Sequence, residues 1–127
     1  MRIRVVAVDD SRPVLRQLIY LLQTEFHVIG SAENGRMALN VIQNTQPDVV
    51  VLDLEMPVLS GIEVTRELRK VRASPAVVIC SVETDPEIVE AALQAGALGY
   101  VSKIRMNQDL VKAVKLAARG ESFVSTP

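Results

Sequence analysis

Asp53 directly follows the apolar run Val49-Val50-Val51-Leu52 and precedes Leu-Glu-Met-Pro and then Gly61. Two more acids, Asp9 and Asp10, follow the first apolar run of the chain. Carboxylates at the ends of parallel strands lie on the edge where open α/β sheets gather their ligands. Clustered carboxylates repel one another and raise each other's pKa unless a cation intervenes. Oxygen-only ligands without His or Cys favour Mg²⁺ over zinc, and Mg²⁺ takes one or two carboxylates, waters and a phosphate group. A carboxylate is also a nucleophile able to carry an aspartyl phosphate. In-line phosphoryl transfer then requires positioning and neutralisation of charge on the equatorial oxygens. The Ser81 hydroxyl and the Lys103 ammonium, at the ends of two later apolar stretches, suit that second need.

These residues require elements that bring them together. Val- and Ile-rich runs at 3–8, 27–32, 49–52, 76–80 and 97–101 read as strands. Between them lie segments of helical period. Val14, Leu18, Leu21 and Leu22 share one face after Ser11 and Pro13, which suit a helix start. Met37, Ala38, Val41 and Ile42 form a stripe over 35–45, and Ile62, Thr65 and Leu68 point inward from a helix opened by Gly61. Asp85-Pro86-Glu87 is a helix start, with Ile88, Ala91, Ala92 and Ala95 buried and Gly96 as the stop. Leu110, Val114, Ala117 and Ala118 mark a last helix stopped by Gly120. Five strand–helix units predict an α/β domain with a doubly wound parallel sheet. The strand order expected is the flavodoxin-like 2-1-3-4-5. A half of a dinucleotide-binding fold is the weaker alternative, because Asp-Asp-Ser-Arg-Pro stands where a glycine-rich loop would have to be. In the order 2-1-3-4-5, strands 1, 3, 4 and 5 are neighbours, so Asp9, Asp10, Asp53, Ser81 and Lys103 converge on one sheet edge.

The totals agree. The 127 residues suffice for one domain. A net charge of −1 argues against a general nucleic-acid surface. No run approaches the about 20 apolar residues that span a bilayer, and no secretory signal is visible, so a cytoplasmic protein is expected. Cys80 reads as a buried core thiol and His27 as a surface or strand-edge residue.

The pattern Asp9-Asp10, Asp53 in Leu-Asp-Leu-Glu-Met-Pro, Gly61, Ser81, Tyr100 and Lys103 resembles the receiver domain of two-component response regulators. The resemblance covers essentially all of residues 1–127. It implies that Asp53 is the phospho-acceptor, charged by a histidine kinase, a phosphotransfer protein or a small phosphodonor. It implies Mg²⁺ on Asp9, Asp10, Asp53 and the backbone carbonyl of Glu55, with Asp9 acting largely through water. Ser81 and Lys103 would engage the phosphoryl group, and Tyr100 would turn inward as Ser81 shifts, remodelling the surface of the fourth helix, fifth strand and fifth helix. Such a domain is not an enzyme beyond its own phosphorylation and autodephosphorylation.

The chain departs from the family pattern in places. Ile104 follows Lys103 where Pro is usual, and Val82 follows Ser81 where Ala is usual. Glu55 and Glu83 lie two residues after Asp53 and Ser81, where side chains flank the site. They are expected to slow phosphorylation by small anionic donors. Ile104, together with residues 117–127, resembles the subgroup carrying a LuxR-type helix-turn-helix output. Residues 119–127 are therefore expected to begin a linker to an absent DNA-binding domain, in preference to a stand-alone regulator. DNA would be reached only through that domain. A homodimer is compatible with the mixed charges of Arg105, Lys112, Lys115 and Arg119 against Glu87, Glu90 and Asp109, read as exposed. The alternatives are a phosphorylation-independent interaction domain and a small aspartyl-phosphate phosphatase. The latter typically carries Asp-x-Asp after its first strand, whereas here the acids are adjacent.

Overall fold

All four residues of Val49–Leu52 are completely buried. A β-branched run becomes so when helices cover both faces of its sheet. The run is the third strand of a computed structural model that describes residues 2–126. The element order is β1 (Arg4–Val8), α1 (Arg12–Leu22), β2 (His27–Ala32), α2 (Gly35–Thr45), β3 (Val49–Leu52), α3 (Gly61–Arg69), β4 (Ala76–Ser81), α4 (Pro86–Ala95), β5 (Gly99–Ser102), α5 (Met106–Ala118) and β6 (Phe123–Val124). A 3₁₀ turn, Lys103–Arg105, links β5 to α5. The sheet runs β2-β1-β3-β4-β5-β6, and every pairing is parallel.

The flavodoxin-like order 2-1-3-4-5 is therefore present, with one short strand added. The sequence did not announce β6. Two residues carry no periodicity, and Phe123–Val124 is bound by pairing Gly99 with Phe123 and Tyr100 with Val124. Lys112 Nζ, 5.4 Å from the Phe123 ring centroid, adds a cation–π contact.

Strand side chains alternate between two cores. Val5, Ala7, Val49, Val51, Val78 and Cys80 face α1 and α5, where Leu15, Leu18, Leu22, Leu110 and Val114 meet them. Val6, Val8, Val50, Leu52, Val77, Ile79 and Tyr100 face α2, α3 and α4, where Ala38, Ile42, Val64, Leu68 and Ala92 meet them. Full burial of each large aliphatic side chain contributes roughly 1.5–3 kcal/mol. Two expected core residues lie outside. Met37 is 45% exposed, and Ala118 sits on the exposed side of the last turn of α5. Leu15 on α1 and Ala113 on α5 are buried in addition to the expected stripe residues Leu18, Leu22, Leu110, Val114 and Ala117.

The caps suit the sequence. Ser11, Asn34, Ser60 and Asp85 each accept a backbone N–H of the helix they precede. Ser60 and Glu63 form a full capping box, which starts α3 sharply beside the site. Gly96 (φ 123) and Gly120 (φ 80) end α4 and α5 with a backbone that side-chain-bearing residues rarely adopt. His27 is exposed on the edge strand, and Cys80 is buried, its thiol pushed by burial up to about 12. Among the described residues no helix is long and apolar enough to cross a membrane.

Candidate functional site

Strand register places the acids. Val8 lies opposite Leu52, so Asp9 and Asp53, the next residue on each strand, leave the sheet side by side. The ladder runs one step beyond both strands. Asp9 N–H donates to the Ala32 carbonyl at 3.2 Å and Asp53 N–H to the Val8 carbonyl at 3.1 Å. Both carboxylates are thus carried on fixed backbone. Asp9 is completely buried, Asp53 is 6% exposed and Asp10 is exposed. Carboxylate oxygens from the three lie within 4.8 Å of one another, the one such cluster among the described residues.

Lys103 enters this cluster from the far side. It follows Ser102, which pairs with Ser81 across β4 and β5. Its Nζ lies 2.8 Å from Asp9 Oδ2 and 3.3 Å from Asp53 Oδ1. Asp53 Oδ1 also accepts the Leu54 N–H at 2.8 Å. Asp9 Oδ1 accepts the Ser11 N–H at 2.9 Å, which joins the acid to the cap of α1. Asp9 Oδ2 is buried and, apart from its ion contact with Lys103, has no aligned hydrogen-bond donor.

The titration shifts follow from this geometry. Burial raises the Asp53 carboxyl above its ordinary value and the adjacent Asp9 adds to the rise, against the pull of Lys103 and the Leu54 N–H. Burial works against the charged form of Lys103, but Asp9 and Asp53 outweigh it and hold the ammonium above its ordinary value.

The loop after Asp53 is tightly wound. Gly61 N–H donates to the Leu54 carbonyl at 2.7 Å. A Cβ at Gly61 would lie 2.3 Å from the Asp53 carbonyl oxygen, so only glycine lets α3 start this close to the acid. Val58 sits at φ 76 inside a three-residue turn closed by Leu59 N–H on the Pro57 carbonyl. For a β-branched residue that is strained backbone, and it lies between Asp53 and Gly61.

Ser81 and Tyr100 both bond the Glu83 backbone rather than the carboxylates. The buried Ser81 Oγ accepts the Glu83 N–H at 3.0 Å, and the Tyr100 hydroxyl donates to the Glu83 carbonyl at 2.7 Å. Tyr100 is 2% exposed and therefore points inward. Burial raises its phenol, and the Ser81 hydroxyl opposes the rise. The Glu83 carboxylate accepts the Thr84 and Asp85 N–H groups at 3.1 and 3.0 Å, so it serves its own loop. The Glu55 side chain is exposed, as are Val82 and Ile104.

Asp109 requires a correction. Its spacing placed it on an exposed charged face, but it is 6% exposed. Arg105 Nε donates to its Oδ2 at 3.0 Å and Ser125 Oγ donates to the same oxygen at 2.7 Å. The i,i+4 spacing of Arg105 and Asp109 is the only sequence signal for this pairing.

Comparison with known proteins agrees with this geometry. The family model described as "Response regulator receiver domain" matches residues 5–115. The chain is 38% identical over 120 residues to the nitrate/nitrite response regulator protein NarL of Escherichia coli K12, covering 91% of this chain and 55% of that protein. It is 33% identical over 127 residues to the transcriptional regulatory protein YxjL of Bacillus subtilis, covering 98% of this chain and 58% of that protein. The chain thus spans little more than half the length of these relatives. A two-component response regulator of the LuxR family from Aurantimonas sp. superposes with a TM-score of 0.92 at 29% identity, over 100% of this chain and 91% of that one.

Proposed function

The chain belongs to the response regulator receiver domain family, and from that membership we propose that Asp53 is its phospho-acceptor, charged by a histidine kinase or a phosphotransfer protein. One observation carries the reading: Asp9, Asp10 and Asp53 converge within 4.8 Å while Lys103 contacts two of them. Receiver domains bind Mg²⁺ at such an acidic pocket, and the residues here fit it. The donor set is all oxygen, and the buried Asp9 Oδ2 lacks an aligned hydrogen-bond donor. Asp9, Asp10, Asp53 and the Glu55 backbone carbonyl would hold the ion. When bound, Mg²⁺ supplies positive charge that offsets the carboxylates and the oxygens of the transferring phosphoryl group.

The chain's own residues do the rest. A carboxylate oxygen of Asp53 attacks the phosphorus of a donor phosphohistidine. The O–P bond forms as the donor P–N bond breaks, and the bonding pair stays on the imidazole nitrogen. Lys103 keeps its proton throughout, because two carboxylates favour its charge, and its ammonium then pairs with the phosphoryl oxygens. The Ser81 hydroxyl turns to donate to another of those oxygens. Its move draws on the Glu83 loop, which also carries the Tyr100 hydroxyl bond. Phosphorylation thereby biases a two-state arrangement of α4, β5 and α5. The relatives named as transcriptional regulators support control of transcription as the output, exerted on DNA by a domain outside this chain.

Incubation with Mg²⁺ and phosphoramidate adds one phosphoryl group to the wild-type chain, read by intact mass. Asp53→Asn takes up none. Equal uptake by the variant would sink the assignment. Saturable fluoroberyllate binding that requires Asp53 separates this reading from a phosphorylation-independent interaction domain.

A further inference from the structure

Lys103 is carried on a short turn, not on a helix or strand. Ser102 ends β5, and Lys103–Arg105 is a single 3₁₀ turn before α5. The Ser102 side chain does not cap that turn. Ile104 is 87% exposed, so it gives the turn no apolar anchor. Local sequence therefore leaves the backbone under Lys103 weakly fixed.

Beside the β4 ladder at Ser81, further fixing groups come from two more distant places, the first turn of α5 and the residue after β6. Ser102 N–H donates to Ser125 Oγ at 3.1 Å, and Ser125 Oγ donates to Asp109 Oδ2 at 2.7 Å. Arg105 Nε donates to the same Asp109 oxygen at 3.0 Å. Ser125 N–H donates to the Tyr100 carbonyl at 2.9 Å. One carboxylate oxygen thus holds the residue before Lys103 and the residue two after it. Asp109 and Ser102 are both buried. Hydrogen bonds to an ionised group in such a place are short and strong, and loss of one partner leaves the others poorly satisfied.

We propose that Asp109 and Ser125 are positioning residues for Lys103, and that Phe123–Ser125 is a working part of the phosphorylation site. The proposal rests on the phosphoryl-transfer reading above. Lys103 must meet Asp9 and Asp53 together, at 2.8 and 3.3 Å. A displacement of about 1 Å in a catalytic group can cost on the order of a hundredfold in rate. Ser125 lies beyond every helix, so its replacement removes the bridge without touching either core.

The test compares wild type, Ser125→Ala and Ser125→Thr in phosphoramidate uptake and in the Lys103 side-chain NMR resonances. Ser125→Ala is expected to lower the maximal uptake rate about tenfold, inside the range for a misplaced catalytic group. The half-saturating donor concentration stays the same, and the Lys103 ε-methylene resonance shifts. Ser125→Thr, which keeps the hydroxyl, restores both rate and resonance. A Ser125→Ala protein with wild-type rate and an unmoved Lys103 resonance overturns the proposal. If the wild type itself takes up no phosphoryl group, the transfer reading falls. The Lys103 resonance then decides the positioning claim alone: moved in Ser125→Ala it stands, unmoved it fails.

Discussion

The helices α4 and α5 flank β5 on opposite faces of the sheet, and they are held very differently. On α5, Met106, Asp109, Leu110, Ala113, Val114 and Ala117 are buried, which gives the helix both a wide apolar stripe and a polar anchor. On α4 only Ala92 and Ala95 are buried, while Ile88 and Val89 are half-covered. An alanine stripe removes little apolar area from water, so α4 gains little from docking. Its N-terminal loop is joined to the sheet mainly by the Ser81 and Tyr100 bonds to the Glu83 backbone. Such bonds exchange for others at small net cost, whereas a buried leucine does not. The contrast makes α5 the frame and α4 the adjustable part, as expected when stability is unevenly spread through a domain. The response to phosphorylation proposed above would draw on that asymmetry.

The contrast is open to attack by substitution. Leu110→Ala on α5 is expected to cost about 2–5 kcal/mol, the usual range for a buried leucine, measured by urea unfolding. A loss below that of any α4 substitution would reverse the assignment of frame and adjustable part.

Asp109→Asn comes next and carries a pH signature. Burial pushes the Asp109 carboxyl up, but the bonds from Ser125 and Arg105 and the nearby Arg105 and Lys112 charges outweigh it and hold it below its ordinary value. A folded pKa below the unfolded one means stability present above about pH 4 and lost as pH falls through the folded value. The wild type is therefore more stable than Asp109→Asn at neutral pH. The difference shrinks as pH falls below about 4, which thermal melts across that window will read. A difference independent of pH would remove the carboxylate from the account.

Ile88→Ala on α4 is the smallest of the three, about 1 kcal/mol for a half-covered side chain. Amide exchange sharpens the same point, since α4 amides are expected to exchange before those of α5. Equal protection of the two helices would remove the asymmetry.

Much of this was legible in the order of residues. Val49–Leu52 declared a strand covered on both faces, and Asp85-Pro86 declared the start of α4. The placing of Asp9, Asp53 and Lys103 followed from strand order alone, because parallel strands all end at one edge. What could not be read depends on contacts between distant segments. Phe123–Val124 is a strand only because the edge of β5 is there to receive it. Asp109 looks like any acid in a helix's first turn until Ser125 arrives sixteen residues later to share its oxygen. Met37 on α2 is exposed and Leu15 on α1 is buried, both against expectation, because a helical stripe is fixed by the surface it meets. The inward pose of Tyr100 is a rotamer, and composition carries no rotamers.

The two-residue strand β6 also covers the outer margin of β5. Without it, β5 would be the margin of the sheet, a row of unpaired N–H and C=O groups able to template pairing with another chain. Phe123–Val124 occupies part of that row, and Ser125 continues it by donating to the Tyr100 carbonyl and accepting the Ser102 N–H. A chain trimmed before Phe123 would expose the β5 margin and gain a tendency to self-associate. The segment proposed to position Lys103 is thus also the one that pairs the margin of β5.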